Sequence, residues 1–285
     1  MFSKLLKYDF RSLRRFGIPI LLALAATALF GALDVVLFVN VTETLVKYDA
    51  FPGREPPFFL TLSAFGTGFG AMFAFLLIGL AVSLMQILIF VDFYKSLVSD
   101  EGYLTFTLPV RAKDILNAKL VNAVIWQFIV GLASLVAAGI IFFAAMAAMG
   151  FPWGQLALAF QEFLPVLRQL VPYGYIGVEL FLLGAASFVN SILLYFGAIF
   201  FASVIAHKHK ILTAIACIYG VNMVYGFISS VASSILTTVG GLLAFDSVHF
   251  AANAMLVPAI LLVTGLNIAF YYGIKYMMEK KINLS

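Results

Sequence analysis

Thr67-Gly-Phe-Gly-Ala-Met-Phe-Ala-Phe-Leu-Leu-Ile-Gly-Leu-Ala-Val-Ser-Leu-Met-Gln86-Ile-Leu-Ile-Phe-Val91 contains no charged residue and a single amide, Gln86. A helix needs about 20 mostly apolar residues to cross the hydrocarbon core of a bilayer. Inside that core each backbone N–H and C=O must find its partner within the segment, so a run of this kind is predicted to be a helix. Five further runs share the pattern, at about 17–40, 121–150, 177–206, 212–236 and 250–276. Each ends at charged residues or at Pro, Gly or Asn. The fold class that follows is all-α: a polytopic membrane protein with six transmembrane helices.

Composition supports this. The chain has 285 residues, of which 64% are hydrophobic and 11% charged. Soluble domains carry roughly 25% charged residues. The longest stretches outside the runs, 41–66 and 151–176, are too short to bury cores of their own. A single membrane domain over 1–285 is therefore expected.

The net charge of +4 acquires meaning when mapped. Lys4, Lys7, Arg11, Arg14 and Arg15 precede the first run. Lys95, Arg111, Lys113 and Lys119 lie between the second and third, Lys208 and Lys210 between the fourth and fifth, and Lys275, Lys280 and Lys281 at the end. Only Lys47, Arg54 and Arg168 fall on the other side, so fourteen of the 17 basic residues share one face. Short cytoplasmic loops carry the Lys/Arg excess. Both termini and residues 92–120 are thus expected in the cytoplasm. The basic balance sets topology and does not point to nucleic acid.

Residues 1–15 place Phe2, Leu5, Leu6, Phe10 and Leu13 on one helical face, with the basic residues around it. That is the pattern of an interfacial helix lying in the headgroup plane. No cleavable signal is visible, and the run after it reads as a retained first span. Between the outer ends of the spans, Pro52, Gly53, Pro56 and Pro57 break the first connection. Residues 153–170 have helical spacing and fit a short helix on the outer surface.

Residues 92–120 are more informative. Their middle, Tyr103-Leu-Thr-Phe-Thr-Leu108, is apolar and aromatic, which is costly to leave in water without a partner. Pro109 is suited to open the helix that follows. The stretch therefore offers a short element with polar ends and an apolar face, fitted to docking on another cytoplasmic protein.

The run Tyr94-Lys-Ser-Leu-Val-Ser-Asp100-Glu101-Gly102-Tyr103-Leu104-Thr-Phe106-Thr-Leu-Pro109-Val, followed by Ile115-Leu116 and Lys119-Leu120, resembles the loop between spans two and three of ABC-transporter permeases of the type-2 exporter superfamily, of the kind found in Gram-positive bacteria. The opening Met1-Phe-Ser-Lys-Leu-Leu-Lys-Tyr-Asp-Phe-Arg11 is similar to the amino-terminal helix of the same group. The motifs cover about forty residues, and the six-span layout extends the likeness over the chain. The resemblance implies a bacterial plasma-membrane location, a separate ABC ATPase subunit, a second permease subunit, and a cytoplasmic coupling helix that seats in the ATPase. On this resemblance Asp100, Glu101, Gly102, Tyr103, Leu104, Phe106, Pro109 and Arg111 are the ATPase-coupling residues. Arg111 departs from the pattern, because family members often have Ser there to cap the next helix, and Arg cannot accept a bond from the free N–H groups.

No phosphate loop of the form Gly-x-x-x-x-Gly-Lys-Ser/Thr occurs, so ATP hydrolysis would belong to a partner and this chain is not read as an enzyme. No catalytic constellation, cofactor or metal site is expected. His207 and His209 do not share a helical face, and Cys217 reads as a small hydrophobe. Within the spans the polar residues are Asp34, Gln86, Gln127, Asn190, Asn222 and Asn267. Asp34, Gln86, Asn190, Asn222 and Asn267 are the candidates for a polar pathway. The competing role for the amides is helix–helix glue, at about 1 kcal/mol each.

The expected function is the permease subunit of an ATP-driven exporter, moving a peptide, lipid or other amphipathic substrate. The rival readings are a membrane sensor or assembly protein, and a secondary carrier. A carrier would want a carboxylate in mid-span, and the sequence has none there.

Overall fold

The computed structural model describes residues 2–49, 55–99, 102, 110–152, 154, 158, 161–162, 165, 174–205, 210–243 and 248–282. Six long helices account for nearly all of them: α1 (Phe2–Asp49), α2 (Phe58–Leu97), α3 (Ala112–Ala148), α4 (Gly174–Ile205), α5 (Lys210–Leu243) and α6 (Val248–Ile282). All six are long and apolar enough to cross a membrane. No strand occurs among the described residues. The protein is all-helical and has the makings of a multi-pass membrane protein.

Four of the apolar runs lie wholly inside longer helices, while those at 121–150 and 177–206 outlast theirs, which end at Ala148 and Ile205. The helices carry on through flanking polar residues, where i→i−4 bonds remain as good as they are in lipid. Their ends follow local chemistry. Leu60 and Thr61 donate their N–H groups to the Pro57 carbonyl at 2.8 and 3.3 Å, so α2 opens straight after the proline pair. At the end of α3, Gly150 takes a left-handed φ of 66°. Its N–H reaches the Ala147 carbonyl at 3.1 Å and the Phe151 N–H reaches Met146 at 3.0 Å. This pair of bonds is the Schellman closure, and it favours glycine at that position.

Two expectations about helix ends are corrected. A separate interfacial helix over 1–15 is not a distinct element, because α1 is continuous from Phe2 to Asp49. Part of its apolar stripe packs on protein: Leu13 is 3% exposed and Phe10 stacks on Trp126 of α3 at 5.0 Å, while Phe2 is exposed. Pro19 lies inside the helix and removes one donor without ending it. The helix expected to open at Pro109 begins at Ala112 instead. The Arg111 carbonyl, rather than a side chain, takes the first N–H groups, from Asp114 at 2.9 Å and Ile115 at 3.4 Å. Asp114 then sets a negative charge in the first turn, where the helix dipole favours it.

The chain divides into two compact units, residues 1–7, 90–124 and 161–285, and residues 8–89 and 125–160. In the first, α4, α5 and α6 pack pairwise. The second half of α4 buries most of its side chains, among them Asn190, Ile192, Phe196, Phe200 and Ala202, while Phe201 stays exposed. Phe93 lies flat on Phe196 with centroids 3.8 Å apart and planes 9° apart. In the second unit, α1 buries Leu13, Ile20, Leu24, Ala28, Val35 and Val39 along one stripe. Gly17 sits against the Trp126 ring, and Gly31 against Ile141 and Ala74.

Candidate functional site

The two ends of the second connection are joined by polar side chains within the first unit. Asp92, near the end of α2, and Lys119, in the second turn of α3, form an ion pair of 2.7 Å. Their side chains are 17% and 6% exposed. A lone charge at such depth costs several kcal/mol, and a close partner offsets much of it. The pair closes the chain at both ends of residues 98–111, with a sequence separation of 27.

Neighbouring side chains carry the anchoring further. Two residues before Lys119, Asn117 accepts from the Tyr271 hydroxyl of α6 at 2.8 Å. One residue after Asp92, Phe93 stacks on Phe196 of α4, and Phe90 meets Tyr195 at 4.5 Å. The entry and exit of the connection are therefore fastened to α4 and α6 as well as to one another.

Above this base the amides join helices. Asn190 donates to Asn267 Oδ1 at 2.9 Å, and Asn267 donates in turn to the Ala186 carbonyl at 2.9 Å. Asn190 is 1% exposed and Asn267 half-buried. Asn222 donates to Ile218 of its own helix at 2.8 Å and accepts from Tyr195 at 3.4 Å. Three of the five residues expected along a polar pathway thus make hydrogen bonds that link α4 with α5 and α6. Gln86 is half-buried on α2 and Asp34 half-buried on α1, both in the second unit.

Of the eight expected coupling residues, Gly102 and Arg111 are described. Asp100, Glu101, Tyr103, Leu104, Phe106 and Pro109 lie outside the described residues, as does most of the expected outer helix over 153–170. Gly102 is buried and donates to the Ser99 carbonyl at 2.8 Å. A Cβ there would stand 2.7 Å from the Leu97 carbonyl oxygen, so the chain can fold back over the end of α2 only with glycine at this place. Arg111 is exposed and opens α3.

Reading the sequence alone missed Asp92 and Lys119 as a pair. Their one legible sign was a carboxylate and an ammonium at the inner edges of two adjacent apolar runs. No group of three or more His, Cys, Asp or Glu able to hold a metal occurs among the described residues. Compared with protein-family models, curated proteins and solved structures, the chain matches none.

Proposed function

We propose that this chain is the membrane-spanning permease subunit of an ATP-driven ABC exporter, set in a bacterial plasma membrane with both termini and residues 92–120 in the cytoplasm. A separate ATPase would dock on residues 100–109, and a second permease subunit would complete the pathway. The cargo class that fits is a peptide, lipid or other amphipathic molecule.

The observation that carries the reading is the part-buried Asp92–Lys119 pair, which joins the two ends of a connection whose middle is apolar and aromatic in sequence. A partner pressing on a slack loop would move only the loop. Here the two ends are tied to each other, and through Asn117–Tyr271 and Phe93–Phe196 to α6 and α4. A displacement at the connection would therefore pass into the helices. Closing of an ATPase pair on ATP would then bias the bundle between two arrangements, provided the ATPase binds one more tightly than the other. The resemblance in residues 94–110 names the partner, and the fourteen basic residues on one face support the orientation.

Affinity purification from native membranes followed by mass spectrometry tests the proposal. A co-purifying ABC ATPase is the expected result, and its repeated absence under mild detergent would favour a sensor or assembly protein. Orientation is tested separately with a cysteine at position 101 in a Cys217→Ala background. An impermeant reagent should label it only after the cells are opened, and labelling from outside intact cells would reverse the topology.

A further inference from the structure

Three arginines stand on one face of α1, just before its apolar run. Arg14 and Arg15 follow Arg11 by one helical turn, and all three side chains are exposed. At 3.6 residues per turn they share an arc of about 100°. None of them has an ion pair or a hydrogen bond among the described residues. Asp9, the nearest acid on the helix, lies at least about 120° round from each of them, so it does not neutralise the row. Like charges one turn apart destabilise a helix, and an anion on this face removes that cost.

The arginine face points away from the protein. Leu13, Ile20 and Leu24, which α1 buries, are on the other side of the helix. The same face then runs on into the apolar segment. Ile18, Leu22 and Leu29 stand about two, three and five turns beyond Arg11, and they are 46%, 66% and 65% exposed. A short row of cations is thus continuous with an uncovered apolar row.

Depth and chemistry limit what fits. The hydrocarbon core of a bilayer is about 30 Å thick, and each headgroup layer adds about 5–8 Å. Arg11 and Arg15 are about 6 Å apart along the axis. With residues 17–40 across the core, all three arginines start at headgroup depth. A guanidinium binds phosphate through paired N–H donors. A soluble anion would cover the arginines and leave Ile18, Leu22 and Leu29 bare. A zwitterionic lipid would bring a second cation beside them. A phospholipid of net negative charge satisfies both halves, with its phosphate on the arginines and an acyl chain along the apolar row.

We propose that Arg11, Arg14 and Arg15, together with the exposed row Ile18, Leu22 and Leu29, form a binding site for an anionic phospholipid. The site lies on α1 alone and stands whether or not an ATPase partner exists.

Native mass spectrometry of the purified full chain in a neutral detergent, titrated with dioleoyl-phosphatidylglycerol, tests it. Saturable binding is expected, with phosphatidylcholine of the same chains about tenfold weaker or more. Glycerophosphoglycerol, the same headgroup without chains, should also be about tenfold weaker or more. Arg11→Gln, Arg14→Gln and Arg15→Gln combined should abolish the preference for the anionic lipid. Removing the same charge elsewhere, by Lys95→Gln, Lys113→Gln and Lys280→Gln combined, should leave it within about twofold. Gel filtration reports whether each variant is folded. If the triple arginine variant aggregates, the single Arg→Gln variants decide, each expected to weaken binding about fivefold. Equal binding of the two lipids by the unaltered protein, or an arginine variant that keeps the preference, overturns the proposal. So does a lysine variant that loses as much as the arginine variant, or a headgroup that binds as tightly as the lipid.

Discussion

In residues 90–124 and 161–285 the helices are tied by directional polar bonds: Lys119 to Asp92, Tyr271 to Asn117, Asn190 to Asn267, Tyr195 to Asn222. In residues 8–89 and 125–160 they meet instead through glycines that receive a neighbour's side chain. Gly17 takes the Trp126 ring, Gly31 takes Ile141, and Gly70 takes Asp34. The two modes differ in what they fix. A hydrogen bond holds one register between two helices and loses most of its strength on a small slide. A ring against a glycine holds helices close, yet the loss on sliding is spread over many weak contacts. The hydrogen-bonded unit is also the one that holds the described ends of the second connection. The glycine-seated unit holds the enclosed Oδ2 of Asp34, which has no hydrogen-bond partner among the described residues.

The largest expected effect in this comparison comes from Lys119→Ala. It removes the Lys119 ammonium from an Asp92 carboxylate that is 17% exposed and should cost about 3 kcal/mol, read as a lowered thermal midpoint in detergent. Asp92→Asn combined with Lys119→Met should recover most of the loss, because breaking a buried pair costs more than replacing it. If Lys119→Ala leaves the midpoint unchanged, the pair does not anchor the connection.

Gly17→Leu should come next. The new side chain would run into Trp126, and overpacking of this kind costs about 1–3 kcal/mol. A compensating Trp126→Ala should restore part of it, whereas a loss independent of Trp126 would dissolve the contrast drawn between the units. Asn190→Ala should have the smallest effect, about 1 kcal/mol, in line with amide ties inside membranes. A loss several times greater would mean that the amides do more than join α4 to α6.

The apolar runs made the six helices legible, since length and lack of charge are local properties of each segment. Helix ends were read less well. Pro, Gly and charged residues mark where an apolar run stops, but α1 passes through Gly17, Pro19 and Lys47, and α2 through Lys95, because outside the apolar run a helix still satisfies its own backbone. The amides could be recognised as glue, while their partners could not: Asn190 and Asn267 are 77 positions apart, with no periodic signal between them. Arg111 looked like a defect in a cap, and the helix simply starts on its carbonyl. The Asp92–Lys119 pair was hidden for a related reason. Each residue alone is an ordinary charge at the edge of a span, and only the closing of the connection turns the two into an anchor.

In the proposed function the second connection is the docking element. Tyr103→Ala and Glu101→Ala, each assayed for co-purified ATPase and for substrate-stimulated hydrolysis, test it most directly. Aromatic anchors near the centre of an interface cost about 2 kcal/mol or more when truncated, and charges at its rim cost less. Tyr103→Ala should therefore lose most of the bound ATPase or its stimulation with membrane insertion intact, and Glu101→Ala should lose less. Unchanged ATPase recovery and unchanged stimulation for Tyr103→Ala would contradict the account.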